Sequence, residues 1–133
     1  MTRKTLTAAL AAMMISTASL TVPAMAGQVS INLTPADADQ EKAMRVGLGM
    51  YALFNGIKNG GITQNGTGNS AGLAQNGSGN LGVVHQEGEG HNGTLQQNGN
   101  NNACGLFQFG KNTNGHVEQN GDGGTCATVQ IGW

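Results

Sequence analysis

The sequence has few of the residues that build an ordinary globular core or a charged binding surface. Only 10% of its 133 residues are charged and 4% are aromatic, and it contains two prolines. With a formal net charge of −1 it has no strongly basic surface to hold a phosphate backbone, so we expect no nucleic-acid partner. Few large apolar side chains are available to offset the entropy of ordering the chain. Such a glycine- and asparagine-rich composition is typical of disorder unless the glycines recur at a fixed period.

The sequence also lacks arrangements that carry catalysis or bind metal. Its three histidines have no metal-ligand spacing with the two cysteines, and no nucleophile stands beside a base. Four acidic residues fall at positions that the repeat described below turns toward solvent, where they limit misassociation: Glu87, Glu89, Glu118 and Asp122. We therefore predict that the protein is not an enzyme and that it has no catalytic residues, no metal site and no cofactor.

Residues 1–26 have the pattern of a signal peptide. Arg3 and Lys4 precede an uncharged apolar run over residues 6–22, and residues 24–26 form a small-residue cleavage site before Gly27. A membrane anchor is the alternative, but the apolar run is short for a span and ends in the cleavage motif. The pattern predicts secretion through the periplasm to the cell exterior, outside the reducing cytosol.

Residues 27–58 form a distinct N-terminal segment that contains an amphipathic helix over about 35–55. Thr34 can cap this helix, and Pro35 suits its first position. Apolar residues follow at helical spacing: Val46, Met50, Leu53 and Ile57. The apolar face either packs on the rest of the chain or recognises a secretion or assembly partner.

The remainder, 59–133, is an 11-residue repeat. Seven glutamines recur in phase: Gln64, Gln75, Gln86, Gln97, Gln108, Gln119 and Gln130. A glycine follows each by two residues: Gly66, Gly77, Gly88, Gly99, Gly110, Gly121 and Gly132. Five residues after a glutamine, asparagine recurs at Asn69, Asn80 and Asn102, and is replaced by His91, Thr113 and Gly124 in the other units. A small residue follows at offset seven, and an aliphatic residue usually follows at offset nine.

The period predicts a β-solenoid. Offsets five, seven, nine and eleven are all odd, so their side chains share one face of a strand, while the mixed and mostly polar even offsets point to water. Glycines such as Gly66 and Gly68 supply the positive φ angles of a tight turn between strands. Two strand-and-turn units make one 22-residue coil with two parallel sheets facing each other. The predicted fold class is all-β, an amyloid-like parallel β-solenoid preceded by a short α-helix.

In such a solenoid the glutamines and asparagines stack into amide ladders. Each glutamine lies over the one 22 residues away, at about 4.8 Å along the axis, where side-chain amides can hydrogen-bond to one another. We expect His91, Thr113 and Gly124 to weaken the asparagine ladders toward the C-terminal coil. Each ladder still ends in an unsatisfied amide, which a second molecule could satisfy.

This repeat resembles the curlin repeat of bacterial curli fibres. The pattern Gln-x4-Asn-x5-Gln, with glycine two residues after the first glutamine, is clearest at Gln64-Asn69-Gln75-Asn80-Gln86 and Gln97-Asn102-Gln108. The resemblance covers about residues 60–133. It implies a subunit of an extracellular functional amyloid that is exported unfolded through a dedicated outer-membrane pore with accessory factors. It also implies copolymerisation with other curlin subunits in biofilm fibres, as major subunit or nucleator.

The two cysteines lie one coil apart at the same inward offset. Cys104 and Cys126 are 22 residues apart, which places them on adjacent parallel strands at a separation suited to a disulfide. We favour a disulfide, and two free buried thiols are the alternative.

The strands near the C-terminus carry an outward apolar patch. Its members are Phe107, Phe109, Val129, Ile131 and Trp133. Such a patch indicates lateral contact between subunits, or else a surface that the N-terminal helix covers. The last repeat shows no polar cap, so we expect an open edge on which a second copy of the chain adds head to tail. The alternative functions are a soluble solenoid that binds a surface or polysaccharide, and a disordered secreted peptide.

Overall fold

The computed structural model describes residues 27–133, so the predicted signal peptide lies outside the described residues. One helix, α1, spans Ala38–Phe54. Eight strands are present: β1 Gln28–Leu33, β2 Gly60–Thr67, β3 Ser70–Asn76, β4 Leu81–Glu89, β5 Asn92–Asn98, β6 Ala103–Lys111, β7 Asn114–Asn120 and β8 Thr125–Gly132. The described part of the chain contains no helix long and apolar enough to cross a membrane.

The strands β2 to β8 form the predicted parallel β-solenoid, which confirms the fold class. Successive strands alternate between two sheets, one in the order β1-β8-β6-β4-β2 and the other in the order β3-β5-β7. Every parallel pair is in a register of 22 residues, so that Gln64 lies beside Gln86 and Leu73 beside Leu95. The 11-residue period therefore sets both the coil length and the strand register.

The interior between the two sheets is thin. Its apolar part consists of the inward residues of the offset-seven and offset-nine columns, and Val84, Leu95, Cys104 and Leu106 are its fully buried members. Alternation along each strand sends these residues inward and their neighbours outward. With so few apolar side chains inside, the buried glutamines are part of the core.

Strand β1 was not expected from the sequence. It pairs antiparallel with β8, with Ser30 opposite Gln130 and Ile31 opposite Val129. The expectation of an uncovered last coil is therefore wrong for this sheet, because β1 covers the edge of β8. The N-terminal segment is not separate from the solenoid but adds the fifth strand of its larger sheet.

Helix α1 lies across the outward face of the five-stranded sheet. It begins three residues later than predicted, because Asp37 and not Thr34 is its N-cap, accepting a hydrogen bond from the backbone N–H of Gln40 at 2.8 Å. Leu48 and Tyr51 pack with Phe107 and other outward residues of this sheet in a second apolar cluster. The helix therefore buries Leu48, Tyr51 and Ala52 against the solenoid. Val46, Met50 and Leu53 are exposed, so the prediction of which face would dock was wrong.

Candidate functional site

The glutamines form two continuous amide ladders. In the larger sheet the Nε2 atoms of Gln64, Gln86 and Gln108 donate to the Oε1 atom of the next glutamine at 2.7, 2.7 and 2.8 Å. In the smaller sheet Gln75 donates to Gln97 at 2.8 Å, and Gln97 donates to Gln119 at 3.1 Å. All donations run in the same direction, so each ladder begins at a glutamine whose Oε1 accepts from no other glutamine and ends at one whose Nε2 donates to no other glutamine.

Each ladder glutamine also ties the two sheets together. The second proton of Gln108 Nε2 goes to the Asn92 carbonyl of the facing sheet at 3.0 Å, and Gln97 likewise reaches the Leu81 carbonyl at 3.0 Å. The small residue at offset seven makes room for this crossing, because a Cβ on Gly93 would lie 2.4 Å from Gln108 Oε1. A buried amide that satisfies its donors and acceptor in this way avoids the cost of desolvation.

The asparagines join each turn to the next coil. Asn80 Oδ1 accepts from the backbone N–H of Asn102 at 3.0 Å, and its Nδ2 donates to the Gly99 carbonyl at 2.9 Å. Asn69 makes the equivalent pair of bonds to His91 N and the Gly88 carbonyl at 3.1 Å each. The asparagine column is thus a series of backbone clamps and not a side-chain ladder like that of the glutamines.

His91 and Thr113 continue this column only in part. His91 Nε2 donates to the Glu87 carbonyl at 3.1 Å, which leaves Nδ1 to accept from Thr113 N at 3.4 Å and Thr113 Oγ1 at 2.8 Å. The imidazole thus replaces the acceptor of an asparagine amide, but its donor bonds within its own coil and not to the next coil as the asparagines do. At Gly124 the backbone N–H donates to Asn102 Oδ1 at 2.9 Å, but glycine has no side chain that could bond further along the column. At His91 and Gly124 the column therefore lacks the hydrogen bond that each asparagine donates to the next coil, which agrees with the predicted weakening.

The turn glycines permit close contact between successive coils. Six of the seven have positive φ: Gly66, Gly77, Gly88, Gly99, Gly110 and Gly121. A Cβ on Gly88 would lie 1.8 Å from the Gly110 carbonyl oxygen one coil on, and the other positions show the same approach except Gly121. Gly121, in the last turn, has no atom within 4 Å of its Cβ position.

Cys104 and Cys126 form a disulfide between adjacent coils. Their Cα atoms are 4.6 Å apart on the paired strands β6 and β8. The bond closes a loop of one coil and joins the two coils nearest the C-terminus of the solenoid.

The two ends of the solenoid differ. At the first coil the edge of β2 is open, and Gln64 and Ile62 are exposed. At the last coil β1 covers β8, and its inward side chains satisfy polar groups there. Gln130 Nε2 donates to Ser30 Oγ at 3.3 Å, and Thr128 Oγ1 donates to Asn32 Oδ1 at 2.9 Å.

Gln28 extends this cap to the edge of the smaller sheet. Its Nε2 donates to the Asn114 carbonyl at 3.2 Å, and its Oε1 accepts from Asn114 N at 2.9 Å, as a neighbouring strand would. Sequence reasoning missed Gln28, Ser30 and Asn32. The alternation of apolar Val29, Ile31 and Leu33 with these polar residues was the signal that could have found the strand.

The predicted lateral patch is not a free surface. Phe107 and Val129 are 3% exposed, because they lie among the residues packed with α1, and Phe109 is half-buried against the same cluster. Only Ile131 and Trp133 remain exposed, at 44% and 68%. Most of the predicted patch is therefore covered by the N-terminal helix, which was the alternative to lateral contact between subunits.

His85 is buried beneath the helix. Its Nδ1 atom is 2.5 Å from the Tyr51 hydroxyl, and its ring lies between Tyr51 and the Phe107 and Phe109 rings. Nε2 makes no hydrogen bond, because the Glu87 carboxylate at 3.6 Å is too distant for one. Burial lowers the pKa of His85 below its ordinary value of 6.5, against the opposing effect of the Glu87 charge, which raises it.

We expect acid to weaken the docking of α1. Because the folded state holds His85 at a lowered pKa, the unfolded chain binds more protons below about pH 6.5, and stability falls as the pH falls until the folded pKa is reached. The free energy of unfolding should decrease from about pH 7.5 to about pH 5.5 by more in the wild type than in His85→Phe, which cannot titrate. An equal decrease in the two proteins would exclude His85 as the group responsible.

Elsewhere in the described part of the chain, the ionisable side chains form isolated pairs at most. Among residues 27–133 no three His, Cys, Asp or Glu side chains are grouped closely enough to hold a metal ion. The Lys111 and Glu89 side chains form an exposed ion pair at 3.9 Å on adjacent coils. Such an exposed pair contributes little to stability.

Comparison with protein-family models, curated proteins and solved structures finds no match to this chain. What the solenoid does must therefore be inferred from its own repeat, ladders and ends.

Proposed function

We propose that this protein is a secreted structural subunit that polymerises head to tail into extracellular curli-like amyloid fibres. The observation that carries the proposal is the pair of unlike solenoid ends. Gln64 presents an unfilled ladder acceptor at the open edge of β2, and at the opposite end the last glutamine of that ladder, Gln130, donates to Ser30 of the covering strand β1. Contact between unlike ends does not close on itself, so it extends into a filament.

The ladders explain why the polymer is favoured over the free subunit. Each docking event continues the backbone pairing of a parallel sheet and adds glutamine hydrogen bonds like those at 2.7–2.8 Å within the subunit. Such in-register stacking of amide side chains is the arrangement that stabilises cross-β fibres. The resemblance to curlin repeats supports a role in adhesion and biofilm matrix, as major subunit or nucleator, with export through a curli-type outer-membrane pore.

A seeded assembly assay tests this function. Residues 27–133 should form fibres after a lag, and preformed fibres should remove the lag because they supply a ready-made edge. Gln64→Lys should prevent growth by placing a charge in the ladder at the open end, whereas Asn98→Lys on the outward face should not. A wild-type chain that stays monomeric at high concentration would contradict the proposal.

A second candidate is a soluble solenoid that binds a polysaccharide surface. The outward face of the smaller sheet is polar and exposed, and Asn76, Asn98 and Asn120 form an external ladder there with spacings of 2.9 and 2.8 Å. A regular array of amides can hydrogen-bond to a repeating polar surface. Binding by a protein that remains monomeric would favour this candidate over the fibre.

A further inference from the structure

The solenoid contains a half-integral number of coils. Its seven strands β2 to β8 divide into four in the larger sheet and three in the smaller sheet, and both the first and the last lie in the larger sheet. A second copy stacked in the same orientation would place its β2 on β8. One strand position beyond β7 would then stay empty, and the backbone groups on that edge would remain unpaired.

A half-turn of the second copy about the solenoid axis removes this gap. The β2 strand of that copy then follows β7, and its β3 follows β8, so the strands continue to alternate between the sheets. The columns match in this arrangement: Val117 meets Ile62, Gln119 meets Gln64, and Gln130 meets Gln75. Aliphatic residues and ladder amides thus stay in register across the junction.

Strand β1 occupies the position that this second copy needs. It pairs with β8 over all six of its residues and runs antiparallel, whereas the incoming β3 would run parallel. Its inward face gives Gln130 a single contact with Ser30 Oγ at 3.3 Å, longer than the 2.7–2.8 Å bonds between ladder glutamines. The cap is therefore a weaker partner for the ladder than a second copy.

We infer that the subunit grows at its β7–β8 end by docking a second copy turned by half a revolution, whose β3 replaces β1. This inference rests on the proposed fibre function and specifies its interface. In the free subunit β1 keeps the edge of β8 closed, and its release is a required step of elongation. Because each copy is turned relative to the last, the α1 helices alternate between opposite sides of the fibre.

Cross-linking between copies tests the half-turn. Asn65 and Asn120 are both exposed and lie at opposite ends of one subunit. With the half-turn, Asn65 of the second copy lies beside Asn120 on the adjacent strand. Their Cα atoms should then be as close as those of Cys104 and Cys126, which are 4.6 Å apart on adjacent strands. Fibres grown from a mixture of Asn65→Cys and Asn120→Cys should give disulfide-linked dimers on oxidation. A mixture of Asn65→Cys and Ile131→Cys, which become neighbours only without the half-turn, should give none.

Two glycines provide an independent test of the same junction. Within the subunit, a Cβ on Gly99 would lie 1.9 Å from the carbonyl oxygen of Gly121 one coil on, whereas a Cβ on Gly121 has no atom within 4 Å. In the turned arrangement, Gly66 of the second copy follows Gly121, so a Cβ on Gly121 would clash with the carbonyl oxygen of that Gly66. Gly121→Ala should therefore fold and yet fail to elongate. Gly123→Ala is the matched control, because Gly123 also has positive φ and no atom within 4 Å of its Cβ position. Gly68 occupies the same place in its own turn, and a Cβ there would make only an ordinary contact, 3.8 Å from the backbone nitrogen of Gly90 one coil on.

A disulfide lock tests the release of β1. Val29 and Ile131 are opposite each other in the β1–β8 pair, so cysteines at both positions can join the strands. The oxidised Val29→Cys/Ile131→Cys variant should not elongate wild-type seeds, and reduction should restore growth. Wild type in the same reductant controls for the native disulfide.

The outcomes separate this inference from the function. Fibres that cross-link through residues 65 and 131, or that elongate equally with Gly121→Ala and Gly123→Ala, would overturn the half-turn while leaving fibre formation intact. Elongation by the oxidised lock would overturn the replacement of β1. Absence of fibres from wild type under all conditions would overturn the proposed function and this inference with it.

Discussion

Gln97→Leu is expected to lower the free energy of unfolding by roughly 3 kcal/mol, because it removes three hydrogen bonds to half-buried partners that are worth about 1 kcal/mol each. The lost bonds are those from Gln97 Nε2 to the Leu81 carbonyl and to Gln119 Oε1, at 3.0 and 3.1 Å, and the bond that it accepts from Gln75 at 2.8 Å. Leucine has nearly the same volume as glutamine, so packing changes little, and the change in the free energy of unfolding measures the contribution of the amide hydrogen bonds.

The neighbouring Gln96 is the matched control. Gln97 is 0% exposed in the core, whereas Gln96 points to the outward face and is only half-buried. Gln96→Leu should change the free energy of unfolding by no more than about 0.5 kcal/mol. Urea unfolding of the monomeric chain, with the slope unchanged, compares the two. Similar losses in both variants would show that the ladder does not stabilise the interior.

The second large effect is expected at a turn glycine. Gly99→Ala would place a Cβ 1.9 Å from the Gly121 carbonyl oxygen, and because this obstacle is backbone of the next coil it cannot move aside without breaking the strand pairing. We expect the variant to lose most of the cooperative solenoid structure. Thermal unfolding followed by far-UV circular dichroism measures the loss.

Gly121→Ala separates the clash from backbone strain. Both positions have positive φ, +119° at Gly99 and +109° at Gly121, so alanine is strained at each by about 1–3 kcal/mol. Only Gly99 has a coil above it, since the Cβ position of Gly121 is open. If the two alanine variants unfold at the same temperature, close stacking of the turns is not the reason for the glycine column.

The sequence predicted the solenoid because one period encodes several physical constraints at once. The odd offsets that relate Gln97, Asn102 and Cys104 determine which residues share a face of a strand, and the 22-residue repeat determines the register of the strands. The alternation between two sheets and the pairing of each strand with the one 22 residues on follow from this period, and so does the position of Cys104 beside Cys126. Periodic contacts of this kind are local to neighbouring coils, so the repeat alone describes them.

The N-terminal cap could not be located in the same way. Strand β1 pairs with β8 about 100 residues later in the chain, and nothing in its own sequence specifies that edge. The burial of Phe107 by Tyr51 is likewise a tertiary contact outside the repeat. The sequence did not show that His91 still accepts a hydrogen bond from the next coil, because that depends on the orientation of its ring.

The interior of the solenoid contains amide ladders of the kind that stabilises cross-β fibres, and the N-terminal strand β1 covers the edge of β8. The composition that excludes an ordinary core suits a thin interior of amides and small residues. In the mechanism proposed above, the chain stays monomeric until β1 leaves the edge of β8.

Diffraction from aligned fibres of residues 27–133 tests the central claim most directly. If the coils of successive subunits stack along one axis, the pattern must show a strong meridional reflection at about 4.7–4.8 Å, because every strand then lies perpendicular to the fibre. Fibres without that reflection, or with it on the equator, would show that the subunits do not continue the solenoid, and would contradict the account.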